Sequence, residues 1–124
     1  MLVAEHSSGG VCVAGPQGET LLFSQSSFSR PAEVFRCNAA DGAGLAQLSH
    51  ANDRSLAPLR MGIVGELSCK GGNGDPCHSW LIHPPGFDPS DDHDGSEQFP
   101  LAVIVHGGPQ GAIDDSFHYR WNPQ

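Results

Sequence analysis

Hydrophobic positions in the first half of the chain come in short runs, each closed by a cluster of turn-forming residues. Val11, Cys12, Val13 and Ala14 precede Gly15, Pro16, Gln17 and Gly18, and residues 20–24 (TLLFS) follow. After a polar run at 24–29 and Pro31 come residues 33–37 (EVFRC); the turn 41–44 (DGAG) then leads into 45–49. Short apolar-rich runs at roughly ten-residue spacing, with turn signals between them, predict an antiparallel β meander of about one four-stranded unit. Residues 51–58 carry little pattern and read as a connection. A second β region is predicted at 61–68 and 77–83, around the turn residues Gly71, Gly72, Asn73, Gly74 and Asp75. Pro84 and Pro85 end it, because proline fixes φ and has no N–H to give a ladder. The most hydrophobic stretch, Leu101, Ala102, Val103, Ile104 and Val105, is continuously apolar, the pattern of a central strand covered on both faces. No amphipathic helix is evident that could cover it.

Composition fits this reading and narrows the function. Hydrophobic residues make up 38% of 124, and 16 Gly with 10 Pro punctuate the chain without an internal repeat. Six basic residues against 14 acidic ones give a net charge of −8, which repels phosphate backbones and anionic lipid, so no nucleic-acid or membrane partner is expected. Part of the excess sits in one loop, at Asp88, Asp91, Asp92, Asp94 and Glu97. No apolar run reaches membrane-spanning length and the start has no signal-peptide core, so a cytoplasmic location is expected if Met1 is the true start. The four cysteines, Cys12, Cys37, Cys69 and Cys77, are expected to be reduced; a disulfide between any two stays open, and the sequence does not choose the pair.

Candidate chemistry lies where the apolar run 101–105 empties into His106, Gly107, Gly108 and Pro109. Adjacent glycines after a buried strand let the backbone turn sharply and present N–H groups at close range. Such an N–H can stabilise the oxyanion of an acyl-transfer intermediate, an effect worth roughly 3–4 kcal/mol per donor. On these four residues alone, an ordinary tight turn fits equally well.

Context makes the motif more specific. The strings WLIHPPGFDP at 80–89, FPLAVIVHGGPQG at 99–111 and DSFHYRWNPQ at 115–124 resemble the entry to the catalytic domain of serine peptidases of the prolyl oligopeptidase class. Within that class they are most similar to the acylaminoacyl-peptidase and dipeptidyl-peptidase branch. The string LFSQSSFSRPAEVF at 22–35 resembles the last propeller blade of the same enzymes. The resemblance implies a mixed fold: a β-propeller blade over 1–50, a connection over 51–62, and the first strands of an α/β-hydrolase sheet over 63–124, truncated. It implies the backbone N–H of Gly108 as oxyanion donor, with Gly107 and His106 shaping the loop and His106 a packed, hydrogen-bonded side chain, not a proton shuttle. The segment 115–124 is expected beneath the active-site floor, with Trp80 and Trp121 anchoring core clusters. The nucleophile, acid and base of the class are not carried over, since the sequence has no Gly-x-Ser-x-Gly. The implied partner is a short peptide substrate of a longer parent protein, with no cofactor and no metal. Ile113 and Cys69 depart from positions where the class commonly has aromatic residues, and the acidic loop is longer than is typical.

Three other readings compete. Zinc held by Cys69, Cys77, His78 and His83 is disfavoured, because adjacent Cys77 and His78 would point to opposite faces of a strand. A carboxylester hydrolase usually carries a third glycine where Pro109 stands. A non-catalytic β interaction module remains open for the 124 residues alone.

Overall fold

The computed structural model describes residues 6–91, 94–96, 98–108 and 110–124. The initial residues 1–5, Asp92 and Glu97 of the acidic loop, and Pro109 of the glycine motif lie outside the described residues.

Four strands form the first sheet: β1 (Ser7–Ala14), β2 (Thr20–Ser27), β3 (Arg30–Asn38) and the short β4 (Ala46–Gln47). They pair antiparallel in sequence order, β1-β2-β3-β4, as a meander. This all-antiparallel arrangement is consistent with one β blade. Strand periodicity explains its inner face. Phe23, Gln25 and Ser27 alternate with less buried neighbours on β2, as do Pro31, Glu33, Phe35 and Cys37 on β3. Register then sets Leu21 against Cys37, Phe23 against Phe35 and Gln25 against Glu33. One half of the face is therefore apolar, with the Phe23 and Phe35 rings stacked at 6.1 Å. The other half is polar. Arg30 lies over the Phe35 ring at 5.1 Å and donates to Gln47 Oε1 at 3.2 Å.

β2 runs three residues further than expected, through the polar stretch to Ser27. Arg30 pairs with Ser27, so only Phe28 and Ser29 make the turn. Serine and glutamine have modest strand preference, but ladder partners on both sides of β2 override it.

Glu33 is the largest fully buried side chain, at 2% exposure. Its Oε1 accepts from the Asn52 N–H at 2.8 Å and the Asn52 Nδ2 at 2.7 Å, and its Oε2 from the Ala51 N–H and the Ser49 hydroxyl. These donors hold the carboxylate down to about 2 from an ordinary 4.5, the Ser49 hydroxyl most, against the opposing effect of burial. The anchored segment continues into a single helical turn, α1 (Asp53–Leu56).

β5 (Val64–Lys70) and β6 (Pro76–Ile82) then form a separate two-stranded antiparallel hairpin. Gly71 N–H donates to Asp75 O at 2.7 Å and closes its turn, as the glycine-rich sequence there predicts.

The expected central strand at 101–105 is absent among the described residues. The segment has no ladder partner, and Leu101 and Val105 are 81% and 82% exposed. A hydrophobic run has the potential to be a strand but becomes one only against neighbouring strands. Parallel neighbours also require crossover connections, usually helical. The described structure is otherwise β apart from α1, and it supplies neither. No described helix is long and apolar enough to cross a membrane.

Candidate active site

The loop after residue 105 is built by local contacts alone. His106 is exposed, and its Nδ1–H donates to the Gly107 carbonyl oxygen at 2.9 Å. Gly108 has φ +148°, where a Cβ would lie 2.9 Å from the Gln110 nitrogen. Both the backbone angle and the crowding demand glycine there. At Gly107 a Cβ would meet nothing within 4 Å, so its space is open. Among the described residues no backbone carbonyl accepts from the Gly108 N–H. The three residues are thus adjacent in an exposed loop, and His106 is hydrogen-bonded without being packed.

The segment that follows is positioned by contacts to both sheets. Asp115 is its centre. One carboxylate oxygen accepts from the Phe28 N–H at 2.7 Å, the other from His6 Nδ1–H at 2.5 Å, and its carbonyl accepts from Ser7 N–H at 3.0 Å. Ser7 Oγ donates to Asp114 at 2.9 Å. Trp80, on β6, meets Phe28 edge to face at 5.4 Å and donates from Nε1 to Ile113 O at 2.6 Å. Asn122 Nδ2 donates to Phe28 O at 2.9 Å. Gln124 bridges Ser29 Oγ and both backbone groups of Gly62. Residues 113–124 thus join the β2–β3 turn to the hairpin. Trp80 acts as an anchor, whereas Trp121 is 70% exposed and carries only the Arg120 guanidinium over its ring at 5.0 Å. Sequence reasoning missed Asp115 as a hub, because its partners Ser7, Phe28 and His6 are about a hundred residues away along the chain and no local period marks them.

Two of the clefts among the described residues bear on the site. One, of about 390 Å³, lies at the open end of the first sheet beside Glu19, Arg36 and Asn38. The other, of about 300 Å³, is lined by His6, Val64, Glu66, Trp80 and Asp115. Neither includes the glycine loop. Of the cysteines and histidines weighed for zinc, Cys69 and Cys77 face each other, whereas His78 pairs with Ser68 and shares a 3.0 Å hydrogen bond with it.

Comparison with known proteins shows what the chain is similar to. The chain is 31% identical over 122 residues to a dipeptidyl-peptidase 5 of Schizosaccharomyces pombe, a match that covers 98% of the chain. The relatives of this chain are peptidases. A probable dipeptidyl-peptidase 5 of Emericella nidulans is 47% identical over 76 residues, or 61% of the chain. A bacterial dipeptidyl-peptidase 5, from Porphyromonas endodontalis, is 29% identical over 113 residues, or 87% of the chain. The chain spans only 16%, 10% and 15% of the lengths of these peptidase relatives, in that order. No family model and no solved structure matches it.

Proposed function

We propose that these residues are a stretch of a longer serine peptidase of the prolyl oligopeptidase class, one that releases dipeptides from peptide N-termini. The observation that carries this reading is the match to a dipeptidyl-peptidase 5 along 98% of the chain. In this reading residues 1–50 are a propeller blade, 51–62 a connection and 63–124 the start of an α/β-hydrolase domain. Residues 101–105 gain their neighbouring strands from the rest of the parent polypeptide. The relatives' names favour a peptidase over a carboxylester hydrolase.

The chemistry assigned to this stretch is oxyanion stabilisation. A serine hydroxyl supplied elsewhere in the polypeptide attacks the scissile carbonyl, whose oxygen takes up negative charge. The Gly108 N–H donates to that oxygen, more strongly in the transition state than in the ground state, and so lowers the barrier. A backbone angle at Gly108 that only glycine tolerates supports this role. His106, bonded to the Gly107 carbonyl, supports the loop's shape.

The polypeptide that carries this chain is expected to take one fluorophosphonate label per active serine. In that polypeptide Gly108→Pro, which removes the donor, lowers kcat by about 10²–10³-fold with little change in KM. A polypeptide that takes no label ends the serine reading, whereas a loss confined to KM at an unchanged melting temperature removes Gly108 from the mechanism.

A further inference from the structure

Two thiols face each other across the hairpin. β5 and β6 set Cys69 directly opposite Cys77, and both are exposed and unbridged. Their position in the ladder can be worked out. Gly71 N–H donates to Asp75 O, and His83 N–H to Ile63 O, so both of those pairs are of the hydrogen-bonded kind. Antiparallel ladders alternate, which makes Cys69 with Cys77 a hydrogen-bonded pair too. Pro76, opposite Lys70, then falls at an alternate position where no ladder donor is needed.

Residues opposed in a hydrogen-bonded pair stand about 5.5 Å apart at Cα, within what a disulfide spans. Their Cβ atoms, however, are wider apart than in a non-hydrogen-bonded pair, which strains the bond and makes it readily reduced. Cys77, acting first through its charge, pushes the Cys69 thiol up from its ordinary value, as expected when two sulfurs share one small space. Cys12 and Cys37 do not form a comparable pair. Cys37 is buried against Phe23 and Phe35. Cys12 lies opposite Leu22, which lies opposite Arg36, so β2 separates Cys12 from Cys37. Two strand spacings are about 9.5 Å, beyond what a disulfide spans.

We propose that Cys69 and Cys77 form a reversible cross-strand disulfide when the chain meets a small-molecule disulfide such as oxidised glutathione. One protein thiolate attacks a glutathione sulfur and expels one glutathione thiolate, leaving a mixed disulfide. The second protein thiolate attacks the protein sulfur of that mixed disulfide and expels the other glutathione. Two protein thiols are oxidised, one small disulfide is reduced to two thiols, and the protons pass to solvent or to the departing thiolates. The bond closes residues 69–77 into a ring at the tip of the hairpin that carries Trp80. This inference does not depend on the peptidase reading.

The test is a redox titration with oxidised and reduced glutathione, followed by acid quench, alkylation and tryptic mapping. It applies equally to the 124-residue chain and to any longer natural polypeptide carrying it. Trypsin cuts after Arg60, Lys70 and Arg120, so the cysteines fall on separate peptides, 61–70 and 71–120. The expected result is one disulfide-linked pair of these peptides, with Cys12 and Cys37 alkylated, that Cys69→Ser abolishes and Cys12→Ser leaves intact. Because the two thiols are also near in sequence, the titration is repeated in concentrated guanidinium. Their effective concentration is expected to be about tenfold or more higher in the folded chain. Equal values in the two conditions, stable mixed disulfides on Cys69 and Cys77, or dominant links to Cys12 would each overturn the proposal.

Discussion

Among single residues, Glu33 shows how a charged side chain joins a core. The strand period places it on the same face as Phe35 and Cys37, so its inward direction could be read from the sequence. Its partners could not, because Ser49 ends the last predicted run, Ala51 and Asn52 lie in a stretch without pattern, and all three meet it only after the meander has turned. The folded-state value is depressed, from 4.5 to about 2. The carboxylate's contribution to stability is therefore complete above the unfolded value and is lost as pH falls from 4.5 toward 2. Thermal melts taken between about pH 5 and about pH 2 should show a steeper loss of melting temperature for the wild-type chain than for Glu33→Gln. At neutral pH the variant should melt lower. Parallel profiles would mean that the anchor contributes nothing to the acid limb. The glycine loop stands differently: an apolar run followed by His106, Gly107 and Gly108 is legible in the sequence, and the backbone angle at Gly108 agrees with a position only glycine fills.

At the scale of elements, periodicity located β1, β2, β3 and the hairpin but misjudged their ends. The serines of β2 read as a loop and are strand, because β1 and β3 supply partners. β5 starts later than the apolar pattern suggests, and Gly62 explains part of the shift. Gly62 is packed so closely that a Cβ there would lie 1.7 Å from the His83 carbonyl oxygen. Both its backbone groups are taken by the Gln124 amide, at 2.9 and 3.0 Å. Gly62→Ala should therefore cost about 3 kcal/mol, since backbone must move to admit the methyl. Chemical denaturation would measure it, and a loss under about 0.5 kcal/mol, the usual range for surface sites, would show that Gly62 is not a packing constraint.

For the molecule as a whole, the apolar stretch at 101–105 decides behaviour. Leu101, Val103, Ile104 and Val105 are all at least 66% exposed and form a continuous apolar strip, an aggregation hazard. The 124-residue chain by itself is expected to be poorly soluble and to bind a hydrophobic dye. Val103→Asp should reduce dye binding and change the chain's stability by less than about 0.5 kcal/mol, as for surface sites. In the proposed longer peptidase the same residue would be buried in a sheet, and an unpaired carboxylate there should cost on the order of 3 kcal/mol or more. Equal tolerance in both settings would argue that the strip never becomes a core strand.

Local rules acting within a few residues were enough to determine the antiparallel meander, the hairpin and its turn, and the position of the glycine motif, because strand period and turn chemistry are properties of neighbours in the chain. Tertiary structure alone decided the rest: that Asp115 joins the Phe28 turn to residues 6 and 7, that Glu33 holds residues 49–52, that Cys69 opposes Cys77, and that residues 101–105 stay unpaired. Each of these turns on a partner distant along the chain or set by register. A hydrogen bond or a ladder belongs to two segments at once, and one segment's pattern cannot state which other will be beside it.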